Sequence, residues 1–332
     1  MQRIKVGQIG IGHNHGSAKM ETFRKFPEWF EVVGYVEPDE NWIRERGNLP
    51  AYQGLPRLTE EQLFQVSGLQ LVCVETDVWN LVPTAQRCID AGMHIHMDKP
   101  AGEDLEAYSK MLKDAEKKQL VVQLGYMYRY NPAIQECLRM VRNGELGEIF
   151  SVDAMMSTQH SKEYRAWLRH FQGGSMYIFG CHLIDLMVLL LGEPTRVIPF
   201  LKRTGLDGVT VPDNDLAVLE YPRALATVKT ASVEVNGYGR RQLVICGSEG
   251  SVEIKPLENP TVVSISRKSD IRDVYSDCRI QKTIPDTAGS RRYDEQILDL
   301  GRMIRGEKEN PFSYQHEQIV QRVTLQACGV LK

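Results

Sequence analysis

The chain has 332 residues, enough for about two domains of ~150 residues, each with a core of its own. Its 40 basic and 43 acidic side chains leave a formal charge of −3, which speaks against nucleic acid or an anionic membrane as the main partner. At 42% hydrophobic and 25% charged residues, the composition is that of a globular protein and excludes wholesale disorder.

From the N-terminus, the pattern predicts strands at 4–9, 31–37, 69–74, 94–98 and 120–124. Helices at 17–26, 83–91 and along the apolar face Leu105, Tyr108, Met111, Leu112 and Ala115 alternate with them. Such alternation calls for a parallel, doubly wound sheet, an α/β Rossmann domain spanning residues 1–125. After residue 126 the pattern changes to helices at 132–143 and 175–191, with a strand at 148–157. Consecutive β-rich runs follow at 195–201, 216–220, 224–235, 242–246, 251–254 and 261–266, before helices at 293–304 and 314–327. Residues 126–332 therefore read as an α+β domain with an antiparallel or mixed sheet. A second subunit is a natural cover for one face of that sheet.

The most apolar stretch, 176–191, is interrupted by His182 and Asp185 and is shorter than the ~20 residues a bilayer needs. No membrane partner is expected. The first residues read as a strand rather than a secretory signal, and the seven scattered cysteines contain no C-x-x-C pair. Reduced thiols in a cytoplasmic protein are the expectation.

Directly after the first strand comes Gly10-Ile11-Gly12-His13-Asn14-His15-Gly16, followed by a helical pattern. Strand, glycine turn and helix N-terminus together form the context of a dinucleotide fingerprint, although His15 occupies the usual third glycine position. Glu37 closes the second strand, where a carboxylate accepts from both adenosine ribose hydroxyls and repels a 2′-phosphate. That predicts NAD rather than NADP, with Asp39 as the second candidate for this role.

With these elements in order, the chain resembles the Gfo/Idh/MocA oxidoreductases over nearly its whole length. The resemblance rests on the glycine loop, on Ala91 to Pro100 ending in Asp98-Lys99-Pro100, on Gly125 to Pro132, and on Gly173 to Asp185. It implies NAD(P) dependence, carbohydrate or cyclitol substrates, a homodimer or homotetramer, and in residues 126–332 an open, predominantly antiparallel sheet that serves substrate binding and oligomerisation. Hydride transfer from a carbinol also needs a group for the hydroxyl proton. Lys99, at the carboxyl end of a predicted parallel strand, is the first catalytic candidate. His182 is the second, with Asp185 expected to fix its orientation. Cofactor contacts are expected from Gly10, Ile11, Gly12, His13, Asn14, His15, Glu37, Thr76, Asp98, Lys99 and Trp167. Substrate contacts are expected from Lys99, Tyr128, Arg129, His160, Arg165, Tyr177 and His182.

The chain departs from its relatives at two places. Many members carry an Asp four residues before the helix His, where this chain has Ile178, and the common histidine after Thr76 is absent. No metal site is expected, because the spacing of His13, His15, His94, His96 and Asp98 fits no common ligand pattern. The main functional reading is an NAD-dependent oxidoreductase acting on a secondary alcohol of a sugar, glycoside or cyclitol. Its alternatives are redox-assisted glycoside elimination or hydrolysis with recycled NAD, and a non-catalytic NAD- or sugar-binding regulator.

Overall fold

A computed structural model of the chain describes residues 2–258, 260–284 and 291–332. It divides into two compact units, the first made of residues 1–126 and 293–318, the second of 127–292 and 319–332.

In the first unit, apolar runs form five short strands: β1 Ile4–Ile9, β2 Phe30–Val36, β3 Leu69–Val74, β4 His94–Met97 and β5 Val122–Leu124. They make one parallel sheet in the order β2-β1-β3-β4-β5. Strands this apolar need helices on both faces. Those helices are α1 Gly16–Lys25, α2 Glu40–Arg46, α3 Glu60–Phe64, α4 Leu81–Asp90 and α5 Leu105–Lys117. The buried residues of α5 are Tyr108, Met111, Leu112 and Ala115, the face read from helical spacing, and Asp104 caps its first turn by accepting from Ala107 N–H. Two helices escape the sequence pattern because they are short and bury little: α2 has no buried residue, and α3 buries only Leu63.

The second unit opens with α6 Pro132–Arg142, whose N-cap Asn131 accepts from two backbone amides, then β6 Ile149–Ser157 and α7 Lys162–Trp167. A π-type turn over Met176–Gly180 leads into α8 Cys181–Leu191. The remaining strands are β7 Arg196–Lys202, β8 Asn214–Glu220, β9 Leu225–Ala231, β10 Gln242–Gly247, β11 Gly250–Ile254, β12 Thr261–Arg267 and β13 Ile280–Ile284. With β6 they form an eight-stranded sheet in which only the β6–β9 pair is parallel. One face buries Val152, Ala217, Leu219, Val228, Ile245 and Val252, and α8 packs on β6 and β9. On the other face Phe200 and Leu225 are 49% and 54% exposed.

Two helices end the chain, α9 Asp294–Ile304 and α10 Tyr314–Ala327. A single cut at residue 125 assigns both to the second domain, but α9 belongs to the first unit and α10 is shared between the two. Amphipathic period shows that α9 has an apolar face without showing which sheet it covers. Buried Gln296 decides this by bonding the Leu124 carbonyl and the Lys19 ammonium. All seven cysteines are free, and no helix among the described residues is long and apolar enough to cross a membrane.

Candidate active site

The register of the parallel sheet organises the candidate residues of the first unit. Ile9 pairs with Val36 and Val74, Val74 with Met97, and Met97 with Leu124. The residues that follow these strand ends therefore form one row at the carboxyl edge: Gly10, Glu37, Glu75, Asp98 and Gly125. Open α/β sheets bind ligands along this edge.

Gly10 has φ +90°, and a Cβ there would lie 2.5 Å from Thr76 N, so only glycine fits the turn. At Gly12 a Cβ would lie 2.5 Å from the Trp42 indole nitrogen. Glu37 is buried and holds the loop, accepting from Ile11 N–H and Asp39 N–H at 2.9 Å each. Asp39 itself caps α2 by accepting from Asn41 N–H at 2.8 Å. Beside Glu37 lies a cavity of about 690 Å³, lined among others by Arg57, Thr59, Thr76, Asn80 and Arg87. Arg46 reaches back over the loop, donating to the His13 carbonyl at 2.7 Å and to Asn14 Oδ1 at 2.9 Å. It was not among the expected site residues because its helix has no sequence pattern of its own.

Asp98 is fully buried and shares its oxygens between neighbours. Oδ1 accepts from Lys99 N–H at 2.7 Å, while Oδ2 lies 2.8 Å from His15 Nδ1 and 3.1 Å from His13 Nδ1. A Cβ on Gly125 would lie 2.7 Å from Oδ1, so that glycine makes room for the carboxylate. Burial opposes ionisation of Asp98, but the two imidazoles outweigh it and hold its pKa well below the usual carboxylate range. Glu75 shifts the other way: burial, then the Asp98 charge, push it well up. Burial also lowers His15 to about 4 and His96 to about 3, which keeps both imidazoles neutral. His96 contacts Lys19 Nζ at 2.9 Å and Gln123 Oε1 at 2.8 Å, whereas His94 accepts from Val121 N–H. Lys99 is 5% exposed at the end of this row.

The remaining candidate residues belong to the second unit. His182 is buried in α8, 5.5 Å from the Tyr128 ring. Tyr128 donates to Glu258 at 2.6 Å, and Glu258 also accepts from Arg241 at 2.8 Å and pairs with Arg292 at 3.2 Å. Three expected contact residues have structural partners of their own. Both oxygens of Asp185 accept from the Arg129 guanidinium, at 2.7–3.1 Å, with both side chains fully buried. Asp185 therefore positions Arg129. Arg165 pairs with Asp207 and donates to the Leu206 carbonyl at 3.2 Å. The π-type turn adds a residue to the turn before α8, so the simple four-residue offset between Ile178 and His182 does not hold there.

Aromatic rings run through this unit. His160 stacks on Tyr164 at 4.3 Å and on Phe179 at 5.0 Å, Trp167 lies 5.4 Å from Tyr164 and 5.1 Å from Phe171, and Tyr177 stacks on Phe171 at 5.2 Å. Glu258 and Arg241 lie more than 100 residues from Tyr128, and no local motif marks them.

Comparison with known proteins follows this division. The family model of the oxidoreductase NAD-binding Rossmann fold matches residues 4–126, and that of the GFO/IDH/MocA C-terminal domain matches residues 134–253. Over 236 residues the chain is 24% identical to the scyllo-inositol 2-dehydrogenase (NAD(+)) of Bacillus subtilis, covering 68% of this chain and 67% of that protein. Among curated relatives the matched stretch ranges from 42% to 71% of their own length. The aldose-aldose oxidoreductase of Caulobacter crescentus, solved with glycerol, shares the fold at TM-score 0.80 and 18% identity, covering 99% of this chain and 98% of that one. Levoglucosan dehydrogenase, solved with NADH and levoglucosan, gives the same TM-score of 0.80 at 18% identity, with the same 99% and 98% coverage. A Rossmann unit followed by a largely antiparallel sheet, matched along both parts by the family's two domains, makes this chain a member of the Gfo/Idh/MocA oxidoreductase family.

Proposed function

We propose that the protein catalyses NAD-dependent oxidation of a secondary hydroxyl on a sugar, glycoside or cyclitol. The observation that carries this reading is the link from Lys99 through Asp98 to the glycine loop, with Asp98 bonded to the Lys99 amide and facing His15 and His13. The names of the inositol and levoglucosan dehydrogenases support the substrate class.

The residues present fit a dinucleotide. Gly10 and Gly12 leave a cradle that a Cβ would fill, and Glu37 stands at the edge of the neighbouring cavity. Gly10 to His15 would hold the pyrophosphate, Glu37 the adenosine ribose and Thr76 the cavity wall, while the carboxylate of Glu37 disfavours a 2′-phosphate. NAD, when bound, supplies the hydride acceptor. Lys99 would orient the substrate oxygen and receive its proton. His182, beside Tyr128, would bind or relay at the substrate. Arg129 and Asp185 hold α8 in place as positioning residues, and His160 and Trp167 offer aromatic surface to a sugar ring or nicotinamide. The outward face of the eight-stranded sheet is the surface we assign to a homodimer or homotetramer, which sedimentation of the purified protein tests.

The deciding experiment incubates purified protein with NAD⁺ and a panel of inositols, aldoses, anhydrosugars and glycosides. Reduced nicotinamide should accumulate in proportion to ketone product. Product without net NADH would replace simple oxidation by redox-assisted elimination or hydrolysis. Tight NAD binding without turnover on any panel member would replace catalysis by sensing.

A further inference from the structure

We propose that Arg46, on α2, pairs its guanidinium with the pyrophosphate of the dinucleotide, an assignment that rests on the cofactor reading given above. The glycine loop has few hydrogen-bond donors of its own left for an anion. Gly10 N–H donates to the Val36 carbonyl at 2.8 Å, and Ile11 N–H to the Glu37 carboxylate at 2.9 Å. His13 N–H donates to the Glu75 carbonyl at 3.3 Å, His15 N–H to His13 Nδ1 at 3.3 Å, and Gly16 N–H to the His13 carbonyl at 3.0 Å. A dinucleotide loop turns such amides towards the phosphates. Among the described residues, the amides of Gly12 and Asn14 are the ones this loop keeps for that purpose. The anion therefore needs a donor from outside the loop.

Charge leads to the same residue. A pyrophosphate diester is a dianion, and the sheet edge beneath the loop already carries the ionised Asp98. Burial lowers His15 to about 4, so that ring brings no positive charge at neutral pH. The N-terminus of α1 offers only about half a charge. Arg46 donates to the His13 carbonyl at 2.7 Å and to Asn14 Oδ1 at 2.9 Å, both neutral acceptors. No carboxylate among the described residues lies within 4.0 Å of it. Asp77 feels its charge at longer range and accepts from the Trp42 indole instead. Other guanidinium groups towards the Glu37 cavity are committed: Arg57 pairs with Glu40 at 2.7 Å and Arg87 with Glu60 at 2.6 Å. A guanidinium held on an anion-binding loop by neutral groups keeps its charge and its fork of donors for a phosphate.

Trp42 fixes the geometry. The Arg46 guanidinium lies 5.1 Å from the centre of the Trp42 ring, and the same indole lies against Gly12, where a Cβ would be 2.5 Å from its nitrogen. Loop and guanidinium thus share one platform. Because Arg46 bonds residues 13 and 14 rather than the strand end at Glu37, the pyrophosphate is the group it meets, in place of a ribose 2′-phosphate.

The test titrates the full chain calorimetrically with adenosine, AMP, ADP-ribose, NAD⁺ and NADP⁺, at low and at raised salt, in wild type, Arg46→Met and Arg46→Lys. Arg46→Met should bind ADP-ribose and NAD⁺ about 10–100-fold more weakly, with adenosine changed less than about two-fold. The wild-type affinity for ADP-ribose should fall more steeply with salt than that of Arg46→Met, and Arg46→Lys should recover part of the loss. Arg46 has no ion pair to lose and α2 buries no residue, and thermal melts verify that both variants fold. Equal ADP-ribose affinity in wild type and Arg46→Met overturns the assignment and leaves the dinucleotide reading standing. An equal loss for adenosine, which marks general damage to the loop, overturns it too, as does a loss confined to NADP⁺. A wild type that binds none of the five overturns the dinucleotide reading along with it.

Discussion

The two units bury charge in opposite ways. In the second, guanidinium meets carboxylate: Arg129 grips Asp185 through several hydrogen bonds, and Arg241 and Arg292 both reach Glu258. In the first, two carboxylates at the sheet edge face two imidazoles, and one of their oxygens receives no hydrogen bond. A saturated network fixes geometry and has little capacity left for a ligand. An undersaturated one keeps capacity for a proton, an ion or a substrate oxygen. The contrast separates scaffold from reacting surface more sharply than residue type does, since Asp185 and Asp98 are both fully buried aspartates beside candidate catalytic residues.

The comparison can be broken most directly at Lys99. Lys99→Ala should lower turnover about 10²–10⁴-fold while NAD affinity stays within a few-fold, measured by steady-state kinetics beside cofactor titration. Undiminished turnover would remove the reacting role from the sheet edge. In the saturated network, Arg129→Met should cost about 3–5 kcal/mol in denaturant unfolding by stranding buried Asp185, and adding Asp185→Leu should recover most of it. A single substitution with no measurable cost would show that this pair is not scaffold. Glu37→Ala should weaken NAD(H) binding about 10–100-fold and narrow the preference over NADP(H). Wild-type protein that binds NADP(H) more tightly would reverse the cofactor assignment.

The smallest effect is a pH dependence in the second unit. Burial, aided by the Arg241 charge, lowers His160 to about 4, below the ~6.5 of an unfolded histidine. Between these values the unfolded chain binds more protons than the folded one. The contribution of His160 is therefore complete above about pH 6.5 and is lost as the pH falls towards 4. Thermal melts of His160→Phe should gain on wild type at pH 4.5 relative to pH 7.5. Equal differences at both values would show that the imidazole is not desolvated.

The glycine loop, Glu37 and Lys99 were legible in the sequence because each sits within a local strand–turn–helix pattern. Glu75 was not, although it adjoins Thr76, because its meaning depends on register. Val74 pairs with Met97, so residues 75 and 98 leave adjacent strands side by side. Strand order supplies that information, and periodicity does not. The same limit hid Glu258, whose partners come from residues 128, 241 and 292. Arg129 and Asp185 were legible as important, but their pairing across 56 residues was not.

The placement of α9 bears on how this protein is made. Lys19, on the buried face of α1, is held by Gln296 from 277 residues away and lies 4.1 Å from the centre of the Tyr293 ring. Gln123 on the last strand of the same sheet also donates to the Gln296 carbonyl. Emerging N-terminus first, the nucleotide-binding sheet is synthesised long before the helix that completes it, and the intervening strands must be translated in between. A chain arrested after residue 126 lacks that helix and leaves a polar seam beside the cofactor loop open to water. The first unit to emerge from the ribosome is thus among the last to be finished.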